Sequence, residues 1–333
     1  MSDAKAAGST GGAADVVRAG GAHLPGLMAA VEERLAVVTQ DRGPTLARLA
    51  GDTIAAGGKR LRPLLVLLAA GEVEAPRRQA LVRAAVGVEL VHSATLVHDD
   101  VLDAADLRRG RPTVVAVAGR EGATATGDLL FSRAFAVIAE GGDLEAVRVL
   151  ADASAALAEG ELLQREDAWN VGVPLARYLE RCELKTARLF SAACVLGARE
   201  GRDGDLDALS AFGREIGLAF QLLDDILDVS GPSERTGKHR GTDLLDGTVT
   251  LPLILARERA ERIATVDLRA EVRTPAEAEA LCDAIAATGA LAEARERALG
   301  IVAGAKAALP TFADPRRRAA LELVADGVVD RYS

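Results

Sequence analysis

Residues 90–103 read Leu90-Val91-His92-Ser93-Ala94-Thr95-Leu96-Val97-His98-Asp99-Asp100-Val101-Leu102-Asp103, and this stretch decides the fold. It closes a helical pattern over 76–104 that is apolar nearly all round, and a helix of that kind belongs at the centre of a large bundle. A second such helix, over 203–230, closes on Leu222-Leu223-Asp224-Asp225-Ile226-Leu227-Asp228. Both end in the same acidic pattern, so acid is placed where burial makes charge costly.

Outward from these two, the chain reads as a succession of helices separated by short Gly, Pro or charged breaks. The periodicity predicts helices over 25–40, 44–56, 62–71, 124–141, 143–165, 174–199, 243–260, 275–288, 290–308 and 314–331. No linker is long enough to divide them, so one all-α domain is expected over 24–333, behind a flexible Gly/Ala-rich lead over 1–23. Only nine of the 333 residues are aromatic and about a fifth are alanine, which favours closely packed helices over sheet.

The 40 Lys plus Arg against 49 Asp plus Glu give a net charge of −9, which argues against a nucleic-acid binder. Cys182, Cys194 and Cys282 are too few and scattered for a disulfide framework or a close-spaced zinc site, and read as core residues of a cytoplasmic protein. The longest uninterrupted apolar run, Leu64–Ala70, is far below the roughly 20 residues that span a bilayer. Only five residues are lysine, namely Lys5, Lys59, Lys185, Lys238 and Lys306, against thirty-five arginines.

Residues four apart share a helix face, so Asp99 projects with Asp103 and Asp224 with Asp228. Each pair makes a carboxylate claw that, in apolar surroundings, shifts towards protonation unless a cation neutralises it. A hard divalent ion with oxygen ligands fits, and magnesium characteristically uses one or two protein carboxylates plus substrate phosphates. A solvated helix end is the plain alternative for one cluster alone; acid/base carboxylates of the glycosidase kind need two carboxyls rather than six.

Four basic segments accompany the claws. Gly57-Gly58-Lys59-Arg60-Leu61-Arg62-Pro63 is a glycine turn entering a helix, where Lys59 and Arg62 can grip phosphate beside backbone amides. Arg108-Arg109-Gly110 follows Asp103, Lys185-Thr186 interrupts an apolar helix, and Gly237-Lys238 follows the second claw. Three of the five lysines fall in these segments, and a compact ammonium is not interchangeable with a guanidinium at a phosphate.

Taken together, GGKRLRP, LVHDDVLD followed by LRRG, KTARLF, FQLLDDILD, and GK before GTDLLDGTVTLP, in this order from about Leu24 to Tyr332, resemble the trans-polyprenyl diphosphate synthase family. The resemblance implies the isoprenoid synthase fold, a single antiparallel helical bundle around a central catalytic cavity, usually as a homodimer. It implies a transferase that adds isopentenyl diphosphate head-to-tail to an allylic diphosphate. Matching positions imply three magnesium ions on Asp99, Asp103 and Asp224, with Asp100, Asp225 and Asp228 in support. Arg108, Lys185 and Lys238 would hold the allylic diphosphate; Lys59, Arg62, His92 and Arg109 would hold isopentenyl diphosphate. Thr186 and Gln221 would turn oxygen dipoles towards a carbocation. His98, beside the first claw, is expected to hydrogen-bond structurally. Many members carry lysine where this chain has Thr248, so no diphosphate contact is assigned there.

In this family the product grows along the helix bearing the first claw, and Ala94 and Thr95 stand where short-chain members commonly place bulky aromatics. Small residues leave the tunnel open, with Val91 or residues around Leu130–Ala134 as a lower floor. The expected product is therefore longer than fifteen carbons, at thirty to forty, with a twenty-carbon product as the close competitor. A terpene cyclase of the same fold would not need GGKRLRP and Arg109, and a non-catalytic partner subunit would not need both claws. A long greasy product implies transient contact with a membrane surface, without help from the −9 charge.

Overall fold

The computed structural model describes residues 11–40, 43–108, 110–201, 203, 205–231 and 239–330. In chain order the helices are α1 (Gly11–Ala19), α2 (Leu24–Val38), α3 (Pro44–Ala55), α4 (Leu61–Ala70), α5 (Ala75–Leu102), α6 (Val114–Ala139), α7 (Leu144–Glu166) and α8 (Leu175–Cys182). A π-helical turn over Glu183–Ala187 leads into α9 (Arg188–Glu200), followed by α10 (Leu206–Ser230), α11 (Leu251–Arg257), α12 (Pro275–Ala287), α13 (Ala290–Ala307) and α14 (Pro315–Asp330). Single helical turns occur at Thr242–Leu245, Glu261–Ala264 and Leu268–Glu271. The sheet content among the described residues is one two-residue ladder, β1 (Leu107–Arg108) against β2 (Arg111–Pro112), with Arg108 opposite Arg111.

The all-α expectation holds, and most expected helices fall within a residue or two of the observed ones. Three differ for local reasons. Within the expected flexible lead, Gly11–Ala19 is helical, buries Val16 and packs on α14; residues 1–10 lie outside the described residues. The helix expected at 124 starts at Val114, capped by Thr113 Oγ1 accepting from the Ala116 amide at 3.2 Å, and bends at Gly119, whose φ of +70° only glycine adopts readily. The helix expected over 243–260 is broken, because Thr248 to Thr250 run outside the helices before Pro252 opens α11.

Residues 63–70 of α4 are all buried, and α4 packs against both α5 and α9. Helix α5 lies against α2, α4, α6 and α9, while α10 lies against α9 and α13. Thus α9 packs on both acidic helices and separates their cores. By length and composition α5 is apolar enough to cross a membrane, which uninterrupted runs do not reveal; 67% of its apolar window is buried in the protein, as suits a central bundle helix.

Candidate active site

The centre of the site is the π-helical turn. Its extra residue lets two consecutive side chains, Lys185 and Thr186, serve different neighbours. Lys185 donates to Glu161 and, at 3.2 Å, to Gln164 Oε1, both on α7. Burial lowers its pKa, but the carboxylates of Asp99, Glu161 and Asp103 outweigh burial and leave the ammonium above its ordinary value. Thr186 donates from Oγ1 to Gln221 Oε1 at 2.7 Å, on α10. Gly160 makes the approach to α7 feasible, since a Cβ there would stand 2.5 Å from the Lys185 amide nitrogen.

The first acidic cluster occupies the last turn of α5. Asp99 is half-buried, and burial, reinforced by Glu161 and Asp103, pushes its carboxyl up to about 6 despite Lys185 and Arg108. Asp100 is buried and accepts from Arg108 Nε at 2.8 Å, so β1 is tied back to α5. Asp103 accepts from Arg165 Nη2 at 3.0 Å, and Arg165 Nε also donates to Glu161 Oε1 at 2.8 Å.

The second cluster occupies the end of α10. Asp225 is buried and receives two donors, Gln221 Nε2 at 2.8 Å and Tyr178 Oη at 2.6 Å. Burial still raises its carboxyl to about 6 against those hydrogen bonds. Asp228 accepts from the amides of Thr242 and Asp243 at 3.2 and 3.3 Å, at the start of a helical turn where an anion is favoured. Asp224 is exposed on the same face.

The basic loop is built by an arginine that sequence reasoning passed over. Arg60 adopts a left-handed φ of +46°, and its guanidinium reaches Glu32 (2.7 Å), the Ile54 carbonyl (2.8 Å) and buried Glu89 (2.8 Å). This clamps the turn to α2, α3 and α5, leaving Lys59 exposed and Arg62 with its guanidinium 4.5 Å over the Phe190 ring at the start of α9. His92 is half-buried two turns before Asp99, on the same face of α5.

Of the other expected residues, Ala94 is fully buried with Leu130 and Ala134, on the packed helices α5 and α6, and Thr95 is half-buried with its hydroxyl donating to the His92 carbonyl at 2.8 Å. His98 stacks on Phe131 and lies over Gly127 of α6, within 3.4 Å of the Thr124 carbonyl. Arg109 and Lys238 lie outside the described residues. Sequence reasoning missed Tyr178, Glu161, Gln164 and Arg165. The last three recur at helical spacing on α7, a stripe that reads as a solvated face until its neighbour is known.

No three His, Cys, Asp or Glu side chains among the described residues close up into a cage for an ion. The donor set fits a divalent cation on two counts. Both claws sit at helix C-termini, where the macrodipole already disfavours anions, and the first is surrounded by cationic stand-ins, Lys185, Arg165 and Arg108.

Comparison with known proteins bears on this arrangement. The family model described as polyprenyl synthetase matches residues 44–288. Heptaprenyl diphosphate synthase component 2 of Geobacillus stearothermophilus is 43% identical over 79% of this chain and 83% of its own length. Geranylgeranyl diphosphate synthase of Methanosarcina mazei is 36% identical over 91% and 94%. The crystal structure of a polyprenyl synthase from Caulobacter crescentus, complexed with calcium and isoprenyl diphosphate, superposes with a TM-score of 0.87 at 37% identity, covering 98% of this chain and all of that one. The helical bundle is thus a shared architecture, and the chain belongs to the polyprenyl synthetase family, as a prenyltransferase of the polyprenyl diphosphate synthase type.

Proposed function

We propose that the chain condenses isopentenyl diphosphate head-to-tail with an allylic diphosphate, giving an all-trans polyprenyl diphosphate of thirty to forty carbons. The observation that carries this reading is the π-helical turn, whose Lys185 faces the first acidic cluster while Thr186 is hydrogen-bonded into the second. Magnesium ions, three with substrate bound, would be held by Asp99 and Asp103 on one side and Asp224 and Asp228 on the other. When bound, such ions stabilise charge on a departing diphosphate.

The chain's own groups do the rest. Arg108, Lys185 and Lys238 hold the allylic diphosphate, so its carbon–oxygen bond can ionise to a delocalised carbocation. Lys59, Arg62, His92 and Arg109 hold isopentenyl diphosphate with its double bond at attacking distance. Thr186 spends its proton on Gln221, which turns the hydroxyl lone pairs outward, towards a cation. Gln221 is itself fixed through its amide nitrogen to Asp225. The released diphosphate accepts the proton lost after addition, and apolar walls exclude water.

Small Ala94 and Thr95 support the longer product, as does the heptaprenyl relative; the geranylgeranyl relative supports twenty carbons instead. The name "component 2" supports a second reading, a subunit that works with another chain. A homodimer is part of the first reading and is tested by sedimentation equilibrium. Purified protein with magnesium, labelled isopentenyl diphosphate and a series of allylic primers tests the rest. No consumption with any primer sinks the synthase reading, and the product lengths decide between twenty and thirty to forty carbons.

A further inference from the structure

The first cluster contains an unbroken chain of alternating charge: Lys185, Glu161, Arg165, Asp103. Arg165 is its joint. Its Nε holds Glu161 and its Nη2 holds Asp103, bridging the last turn of α7 to the end of α5. Both helices present the negative end of their macrodipoles here, so a guanidinium is favoured even before its two carboxylates are counted. Asp103 is one of the four aspartates assigned above to metal, and its side chain is about one-third exposed, open to exchange.

We infer that Arg165 is an internal counter-cation for Asp103, which a divalent ion must displace to load the first cluster. This rests on the reading of Asp99 and Asp103 as metal-binding. Arg165 is a positioning residue in this scheme: it keeps Asp103 ordered without metal, and it sets the metal concentration at which the site fills. A doubly charged ion sharing a diphosphate with the protein out-competes one guanidinium; at low free metal the guanidinium prevails. Arg165 keeps Glu161 when Asp103 is taken, so it remains in place as the metal leaves.

The test is a titration of the full chain with Mn2+, reading free Mn2+ by electron paramagnetic resonance, alone and with saturating inorganic diphosphate. Arg165→Gln is expected to lower the half-saturating Mn2+ concentration about fivefold, the size of a partly exposed ion pair. Arg165→Lys keeps the charge but cannot bridge both carboxylates, and should fall between. Arg148→Gln, a residue on α7 near its other end that pairs with Glu145, should leave the curve unchanged. Far-UV circular dichroism confirms that each variant is folded. A curve for Arg165→Gln within twofold of wild type, or shifted to higher Mn2+, overturns the inference. Asp103→Asn separates the two readings. Impaired binding there beside an unmoved Arg165→Gln leaves the metal reading standing without Arg165; binding unmoved by Asp103→Asn removes both.

Discussion

Replacing Tyr178 with Phe removes one oxygen from the interior and nothing else. That hydroxyl is fully buried and donates at 2.6 Å to Asp225, a carboxylate that burial already disfavours. A hydrogen bond to a charged group contributes about 1.5–3 kcal/mol, and a buried acceptor left short of a donor keeps its desolvation cost, so a loss of about 2 kcal/mol is expected. At about 2.1 cal/mol/K of unfolding entropy per residue, a chain of 333 residues loses about 3 °C in Tm for that change. The loss should be read from urea denaturation at constant m-value. The cycle with Asp225→Asn should show a coupling of about 1.5 kcal/mol. Because Asp225 also orients Gln221, and Gln221 orients Thr186, kcat should fall about tenfold while the KM for isopentenyl diphosphate holds. A loss below about 0.5 kcal/mol, or strictly additive single and double variants, would refute the argument that this hydroxyl satisfies Asp225.

Arg60→Ala should cost about 3–5 kcal/mol, because Glu89 is left buried without its partner; urea denaturation checks this, and Arg60→Ala with Glu89→Gln should recover most of it. Burial raises the Glu89 carboxyl above its ordinary 4.5 even against Arg60, so the folded chain holds that proton more tightly than the unfolded one. Wild type should then lose stability relative to Glu89→Gln as pH climbs from 4.5 towards neutrality, and a flat difference would contradict the shift. Gly160→Ala must push the Lys185 backbone away from α7, costing about 1–3 kcal/mol of stability and about a hundredfold in kcat through the displaced ammonium. Ala94→Phe, at a fully buried position, should cost about 1–3 kcal/mol and shorten the products seen by chromatography; an unchanged length distribution removes this position from chain-length control.

What was legible in the sequence followed from regularity within one helix. The claws announce themselves because four residues return a side chain to the same face, and because acid interrupts helices that are otherwise apolar. The lysine distribution singled out Lys59, Lys185 and Lys238; of the two among the described residues, Lys185 is set against the first cluster and Lys59 stands exposed on its loop. What was not legible depends on which helices meet. Glu161, Gln164 and Arg165 look like an ordinary polar stripe until α7 is set against the π turn, and Tyr178 looks like core until its hydroxyl is found on Asp225. Arg60 has no role in the sequence reading of the phosphate loop, where Lys59 and Arg62 are the cations, yet its φ of +46° and three acceptors make it the part that holds the loop in shape. Gly119 illustrates a related limit, since a glycine that bends a helix and one that ends it look alike in sequence.

The π turn carries a consequence for how this chain can change its length. Residues 175–200 are one helical rod with a single surplus residue, and each residue advances a helix by about 100°. A π turn absorbs that residue as a local bulge, so deleting one residue between Glu183 and Ala187 would let the rod relax to plain α-helix with everything after it still in phase. Tyr178 and Phe190 would still face α10 and Gly197 would still face α4, whereas the stretch that carries Lys185 and Thr186 would be one residue short. The packed faces on either side should therefore tolerate loss of the surplus residue, while the reach of one turn to both α7 and α10 should not, so the extra residue serves the site rather than the scaffold.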